Sequence, residues 1–253
     1  MKDATTITTL FPGKLTVCTY GGFAPVCYKD ENKKFTGLDV FSLENFVDGL
    51  KPKLQIVLIE RDFKDLWTLP GEDVCDIAAA GIQRRADRPV GDCASWSDSY
   101  FHVKRSLLVR SADQDAFNNY ETLVGKTIIV TRDSTADIDA QKRYAKSNKI
   151  LYVDQVAKGQ PDAQAYIVEK WIGEHKADAF AEGDVSNSYL ANEYGKYVAG
   201  GLALADIHDI EGTNESFNFV TRNASSGLLE QLNIFIKDNK GRYPLGRKNI
   251  QIS

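Results

Sequence analysis

Apolar residues in this chain fall into short clusters separated by polar turns, and the spacing inside each cluster predicts its element. Lys14–Thr19 (KLTVCT) and Gln55–Glu60 (QIVLIE) are brief runs rich in β-branched residues, which predicts buried strands. Residues 28–35 form a polar, hairpin-like tip. Over 37–50, Leu38, Phe41, Phe46, Val47 and Leu50 stand near helical spacing, so an amphipathic helix is expected. Residues 62–69 predict a short helix ended by Pro70-Gly71, and 76–82 (DIAAAGI) a small-residue strand. A second set follows: a strand over 127–131, a helix over 136–147 with N-cap chemistry at Asp133-Ser134-Thr135, and a strand over 150–153. A helix over 162–173, with Ala165, Val168, Trp171 and Ile172 on one face, then leads to a strand over 178–181. The tail adds one strand (216–221) and one helix (227–237) striped by Leu228, Leu232 and Phe235.

Strand–helix–strand–helix–strand, twice, is the pattern of two parallel sheets flanked by helices. The expected architecture is therefore α/β and two-lobed. The leftover strand and helix most simply return to the first lobe, making it discontinuous: 1–105 plus 210–253 for lobe one and 106–209 for lobe two. The chain would cross between lobes near 102–110 and again near 203–216, leaving a ligand cleft between them, and small ligands favour such interdomain clefts and strand C-terminal ends.

Composition narrows the function. The chain has 253 residues and a formal charge of −4, from 31 Lys and Arg against 35 Asp and Glu. With no basic block, nucleic acid is a poor partner. The longest apolar runs, such as Ile56 to Ile59, fall far short of the ~18 residues of a membrane span. The first residues, MKDATTITTLFPGKLTV, hold one Lys and no apolar stretch, so they are not a signal peptide, and any export signal would belong to a longer precursor. Cysteines stand at 18, 27, 75 and 93, without a CxxC pair. An even count confined to the first lobe suits at least one disulfide in an oxidising compartment, with three pairings open.

Catalytic signatures are missing: no HExxH, Gly-x-Ser-x-Gly, P-loop or GxGxxG occurs, and His102, His175 and His208 share no motif. No cofactor and no metal is expected. The informative positions are the strand ends: Thr19 to Pro25, Asp62 to Leu66, Ala80 to Arg88, and Asp133-Ser134-Thr135. Along them the chain carries Cys18-Thr19, Phe23-Ala24-Pro25, Gly37-Leu38-Asp39-Val40, Asp76 to Ile82, Asp87-Arg88, Trp96-Ser97-Asp98-Ser99-Tyr100, Leu123 to Thr135 (with Asp133 where a Gly is usual) and Gly173 to Ala181. In that order and spacing, over residues of about 15 to 250, they resemble the solute-binding proteins of the polar amino-acid family, receptors of ABC importers with a type II periplasmic-binding-protein fold.

The resemblance implies roles position by position. Arg88 matches the arginine that grips a ligand α-carboxylate, a task suited to a bidentate guanidinium fork. Ser134 and Thr135 match a helix N-terminus donating to the same carboxylate. Gly81 and Gln83 match strand-end positions whose backbone and side chain hydrogen-bond the ligand, and Phe23 and Phe63 match walls around its side chain. The family's ammonium-binding aspartate falls at residue 183, which is Gly here, with Glu182 and Asp184 as flanking candidates. Arg84 or Arg85 could face the ligand or remain a solvated pair. The implied protein is a monomer with a small-molecule ligand (an amino acid or small carboxylate), a membrane permease as partner, and a periplasmic or otherwise extracytoplasmic location, with a lipid anchor left open. Lobe closure on the ligand is the implied motion. An alternative on the same scaffold is a cyclohexadienyl (prephenate or arogenate) dehydratase, with Asp137 or Glu182 as the acid.

Overall fold

Lys14–Thr19 forms strand β1, and only its first residue is exposed. Such a run, buried on both faces, needs cover on both sides of its sheet. In the computed structural model, which describes residues 6–210 and 215–239, the chain forms two compact units. One comprises 6–102 and 216–239, and the other 103–210 and 215. The outer portions of the discontinuous lobe expected from sequence, 1–5 and 240–253, lie outside the described residues, as does 211–214 in the second expected crossover.

In the first unit β1 is followed by a small antiparallel sheet, β2 (Gly22–Phe23), β3 (Cys27–Lys29) and β4 (Phe35–Thr36), then helix α1 (Leu38–Asp48), β5 (Gln55–Glu60), β6 (Ile77–Ala79) and β7 (Ala94–His102). The second unit contains β8 (Arg105–Arg110), β9 (Thr127–Val130), α2 (Thr135–Arg143), β10 (Lys149–Tyr152), β11 (Ala179–Gly183), α3 (Asp184–Tyr194) and β12 (Leu202–His208). The chain then re-enters the first sheet as β13 (Ser216–Arg222) and ends the described structure in α4 (Leu228–Asp238). The first sheet has the order β5-β1-β6-β13-β7 and the second β10-β9-β11-β8-β12. In each, three neighbouring strands are parallel, the fourth pairs antiparallel with the third, and the fifth pairs antiparallel with the fourth.

Several predicted elements are shorter or different, for local reasons. The 62–69 helix is only a 3₁₀ turn, Leu66–Thr68, entered through Asp65 in the left-handed region. The 76–82 strand is confined to Ile77–Ala79, because the buried Asp76 carboxylate gathers Leu10 N, Thr16 N, Thr16 Oγ1 and Ser225 Oγ, and Gly81 turns at φ +60°. The helix over 162–173 widens in its second half, where Gly173 N bonds Val168 O across five residues. Three strands, β7, β8 and β12, and helix α3 carry no clear periodic signal. α3 buries Ser186 and Asn187 beside Val185 and Leu190, so its inward face is half polar.

The first core gathers Cys18, Cys27, Val40, Leu66, Trp67, Ile82 and Val220, and the disulfide Cys18–Cys75 ties β1 to the segment entering β6. Cys27 is a buried free thiol and Cys93 an exposed one. The second sheet is covered on one face by Ile128, Val130, Ala140 and Tyr144, and on the other by Ile129, Ile167, Phe180 and Leu190.

Candidate ligand-binding site

In the first unit the loops after β1, β5 and β6 leave the C-terminal ends of the parallel strands, where open α/β sheets present their binding groups. Arg88 is drawn fully inside at 2% exposure. Its Nη1 donates to Gln83 O at 3.2 Å, and its guanidinium carbon lies 4.7 Å from the Trp67 ring centroid and 5.4 Å from that of Phe63. Phe63 in turn packs with Tyr20 and Trp67 at centroid distances of 5.9 and 6.3 Å. A planar guanidinium fork has the geometry to pair with a carboxylate in a bidentate way.

Gly81 occupies a turn that no side chain could fill. Its φ is +60°, and an added Cβ would lie 2.6 Å from Phe23 Cε1. Phe23 also meets Phe217 edge-on at 5.9 Å. The Gly81 N–H is occupied by Asp39 Oδ2 at 2.8 Å, so that strand-end donor is not available to a ligand while the bond holds. Gln83 is buried and pairs through its backbone with Phe217. The neighbouring Arg84 is exposed, whereas Arg85 is clamped to Asp87 by bonds of 2.8 and 2.5 Å, which hold the Asp87 carboxyl below its usual range.

In the second unit Ser134 is the N-cap of α2. Its Oγ accepts from Asp137 N at 3.1 Å, while Asp137 Oδ2 accepts from Asp133 N at 3.1 Å, a reciprocal arrangement that fixes the helix start. Ser134 and Thr135 are both buried. Asp137 Oδ1 also accepts from Gln141 Nε2, so the carboxylate named for the dehydratase alternative is engaged on both oxygens by its own helix end.

Glu182 sits at the end of β11, one residue past the Ala181↔Val130 pair, beside Thr131 at the end of β9. It is buried, with Oε1 accepting from Gly183 N at 3.0 Å and Oε2 from Thr131 Oγ1 at 3.4 Å. Arg105 Nη1 is 3.7 Å away, a loose pair, and Arg105 Nε lies 2.9 Å from Glu215 Oε2 in a second ion pair. Burial raises the Glu182 carboxyl above its usual range, and the Arg105 charge offsets this only partly. Asp184, by contrast, is taken up by backbone at the start of α3: its Oδ1 accepts from Lys104 N at 3.0 Å and Val185 N at 2.9 Å. At Gly183 a Cβ would lie 2.7 Å from Val103 Cγ2, so this position has no room for an acidic side chain.

The structure thus brings Phe63, Gln83 and Arg88 together, sets Phe23 against Gly81, and places Ser134, Thr135 and Glu182 around the ends of β9 and β11. Sequence reasoning missed Trp67, although its i+4 spacing from Phe63 was a signal. It also missed Arg105, and it noted Asp39 without giving it a task.

Residues 15–242 match the model of the bacterial extracellular solute-binding proteins, family 3, and the chain belongs to that family. It is a solute-binding protein of bacterial extracellular type. Among solved structures, an ancestral arginine-binding protein bound to arginine superposes with a TM-score of 0.70 at 22% identity, covering 90% of this chain and 92% of that one. The holo arginine-binding protein of T. maritima gives 0.65 at 23% identity, with 90% and 91% covered. An ancestral amino-acid-binding protein, described as a precursor of cyclohexadienyl dehydratase, gives 0.69 at 19%, with 90% and 89% covered. A cyclohexadienyl dehydratase of Pseudomonas aeruginosa is 25% identical over 146 residues, 57% of this chain, and the match spans about half (53%) of that enzyme's length.

Proposed function

We propose that this protein captures a free amino acid or a closely related small carboxylate outside the cytoplasm and hands it to the membrane permease of an ABC importer. The observation that carries the reading is Arg88, a fully buried guanidinium walled by Phe63 and Trp67 at the end of a parallel sheet. In this reading Arg88 takes the ligand carboxylate as a bidentate pair, with Ser134 and Thr135 at the start of α2 adding donors and a favourable helix dipole. Phe23 and Phe63 wall the ligand side chain, and Gln83 contributes polar contacts. Glu182 takes the ammonium, because Gly183 has no space for a side chain and Asp184 is tied to Lys104 N and Val185 N. The protein acts as a monomer without catalysis.

The partial match to a dehydratase supports a second reading, turnover of prephenate or arogenate. Calorimetry against the twenty L-amino acids and a set of small carboxylates, with parallel incubation in prephenate, tests both. Micromolar or tighter binding of an amino acid with prephenate untouched is expected. Release of phenylpyruvate, or binding only of carboxylates that lack an ammonium, overturns the binding reading or its Glu182 assignment respectively.

A further inference from the structure

The ligand-facing loops of the first unit converge on one carboxyl group that no ligand role accounts for. Asp39 opens α1, where Leu38 N and Asp39 N are taken by Pro25 O and Val26 O, both at 3.0 Å. That docking depends on Gly37, whose φ is +114° and whose Cβ would lie 2.6 Å from both carbonyls. The helix start is therefore pressed against the loop that carries Phe23. From there the Asp39 side chain reaches the other loop: Oδ2 accepts Gly81 N at 2.8 Å, and Oδ1 accepts the Tyr100 hydroxyl at 2.5 Å. Gly81 leads directly to Gln83, whose carbonyl accepts from Arg88. β13 holds the same end of this strap through Asn218 N to Ile82 O. Asp39 is 1% exposed, and its burial pushes the carboxyl up to about 7 against the two bonds that favour the anion. A buried carboxyl retained at that cost, in a spot an apolar residue would otherwise fill, implies that its bonds are needed for placement.

We propose that Asp39 is the positioning residue of the first unit's binding loops, locking the 80–88 strap to the Phe23 loop so that Gln83 and Arg88 are placed before ligand arrives. The ligand role of those residues rests on the reading above, but the placement itself does not. An Asn at 39 preserves it, since the amide oxygen can accept from Gly81 N while the amide nitrogen donates to the Tyr100 oxygen. An Ala removes both bonds and leaves the Gly81 N–H buried without its partner.

Hydrogen exchange by mass spectrometry on the ligand-free full chain tests this, using wild type, Asp39→Asn, Asp39→Ala and Tyr100→Phe. Asp39→Ala should speed exchange in 80–88 by about tenfold or more while β1, β5 and the second-unit peptides 127–143 stay unchanged. Asp39→Asn should stay within about threefold of wild type, with Tyr100→Phe between them. Calorimetry with L-arginine as the probe should follow the same order, with the weakest binding for Asp39→Ala. Unchanged exchange of 80–88 in Asp39→Ala, or exchange rising equally through β1 and β5, overturns the proposal. So does an Asp39→Asn protein that behaves like Asp39→Ala. If wild type binds no L-arginine, that choice of ligand has failed, and the exchange pattern alone decides the role of Asp39.

Discussion

Arg88 is the residue on which ligand recognition turns in the proposed reading. Its neighbours Phe63 and Trp67 exclude water, so a carboxylate paired there interacts through a low effective dielectric. Arg88→Ala is expected to weaken binding of the cognate ligand by about 2–5 kcal/mol, roughly 30-fold to several thousand-fold, with folding retained. Arg88→Lys should recover only part of this, because an ammonium cannot make the fork. Calorimetry on both variants checks it, and a loss below about threefold for Arg88→Ala would contradict the carboxylate assignment. Gly183 makes a contrasting prediction. Its backbone, at φ −64°, is open to any residue, so only Val103 forbids a side chain. Gly183→Ala should destabilise the protein by about 1–3 kcal/mol through overpacking, and Val103→Ala added to it should relieve much of that cost. Urea denaturation of the single and double variants measures the coupling.

At the scale of elements, α1 carries a pH dependence in its first turn. Its N-terminus favours the Asp39 anion, but burial outweighs that, and the carboxyl is held near 7 against an ordinary 3.8. The titratable groups facing it are Tyr100 from β7 and the Cys27 thiol from β3, and Cys27 is itself pushed up to about 12, first by burial and then by the Asp39 charge. The folded chain keeps the Asp39 proton up to about pH 7, while the unfolded chain releases it near pH 4. The stabilisation from this group is thus complete below about pH 4 and is lost as pH rises through 7. The slope is at most about 1.4 kcal/mol per pH unit. Asp39→Asn removes this component. Urea midpoints of wild type and Asp39→Asn from pH 5 to pH 8 should therefore diverge in favour of the variant as pH rises, and a constant difference would refute the assignment.

For the molecule as a whole, Cys18–Cys75 closes a loop across 57 positions in the first unit, linking β1 to the entry of β6. In the chain-entropy account such a closure is worth about 4 kcal/mol, commonly somewhat less in practice. The double variant Cys18→Ala with Cys75→Ala should lower the unfolding free energy obtained from urea denaturation by about 2–4 kcal/mol. No change would mean that the loop is already constrained without the bond. Cys27, buried against Thr19 Oγ1 at 2.9 Å, should react slowly with thiol reagents in the native state, whereas exposed Cys93 should react freely.

Much of this was legible from local pattern. β1, β5, β9, β13, α1 and α4 follow from apolar periodicity and punctuation, because apolar residues predominate on their inward faces and hydrophobic burial is read position by position. The Ser134 cap was visible for the same reason, since capping involves residues three apart. Pattern could not find the strands whose neighbours come from distant sequence, such as β8 and β12, or the half-polar α3, because their burial depends on partners rather than on period. Nor could it choose Cys75 as the partner of Cys18, enclose Arg88 with Trp67, or tie Asp39 to Gly81 and Tyr100. Those contacts join residues up to 61 positions apart. The emptiness of position 183 is likewise a tertiary fact: the glycine can be read in the chain, but the Val103 methyl that forbids anything larger arrives there only when β8 lies beside β11.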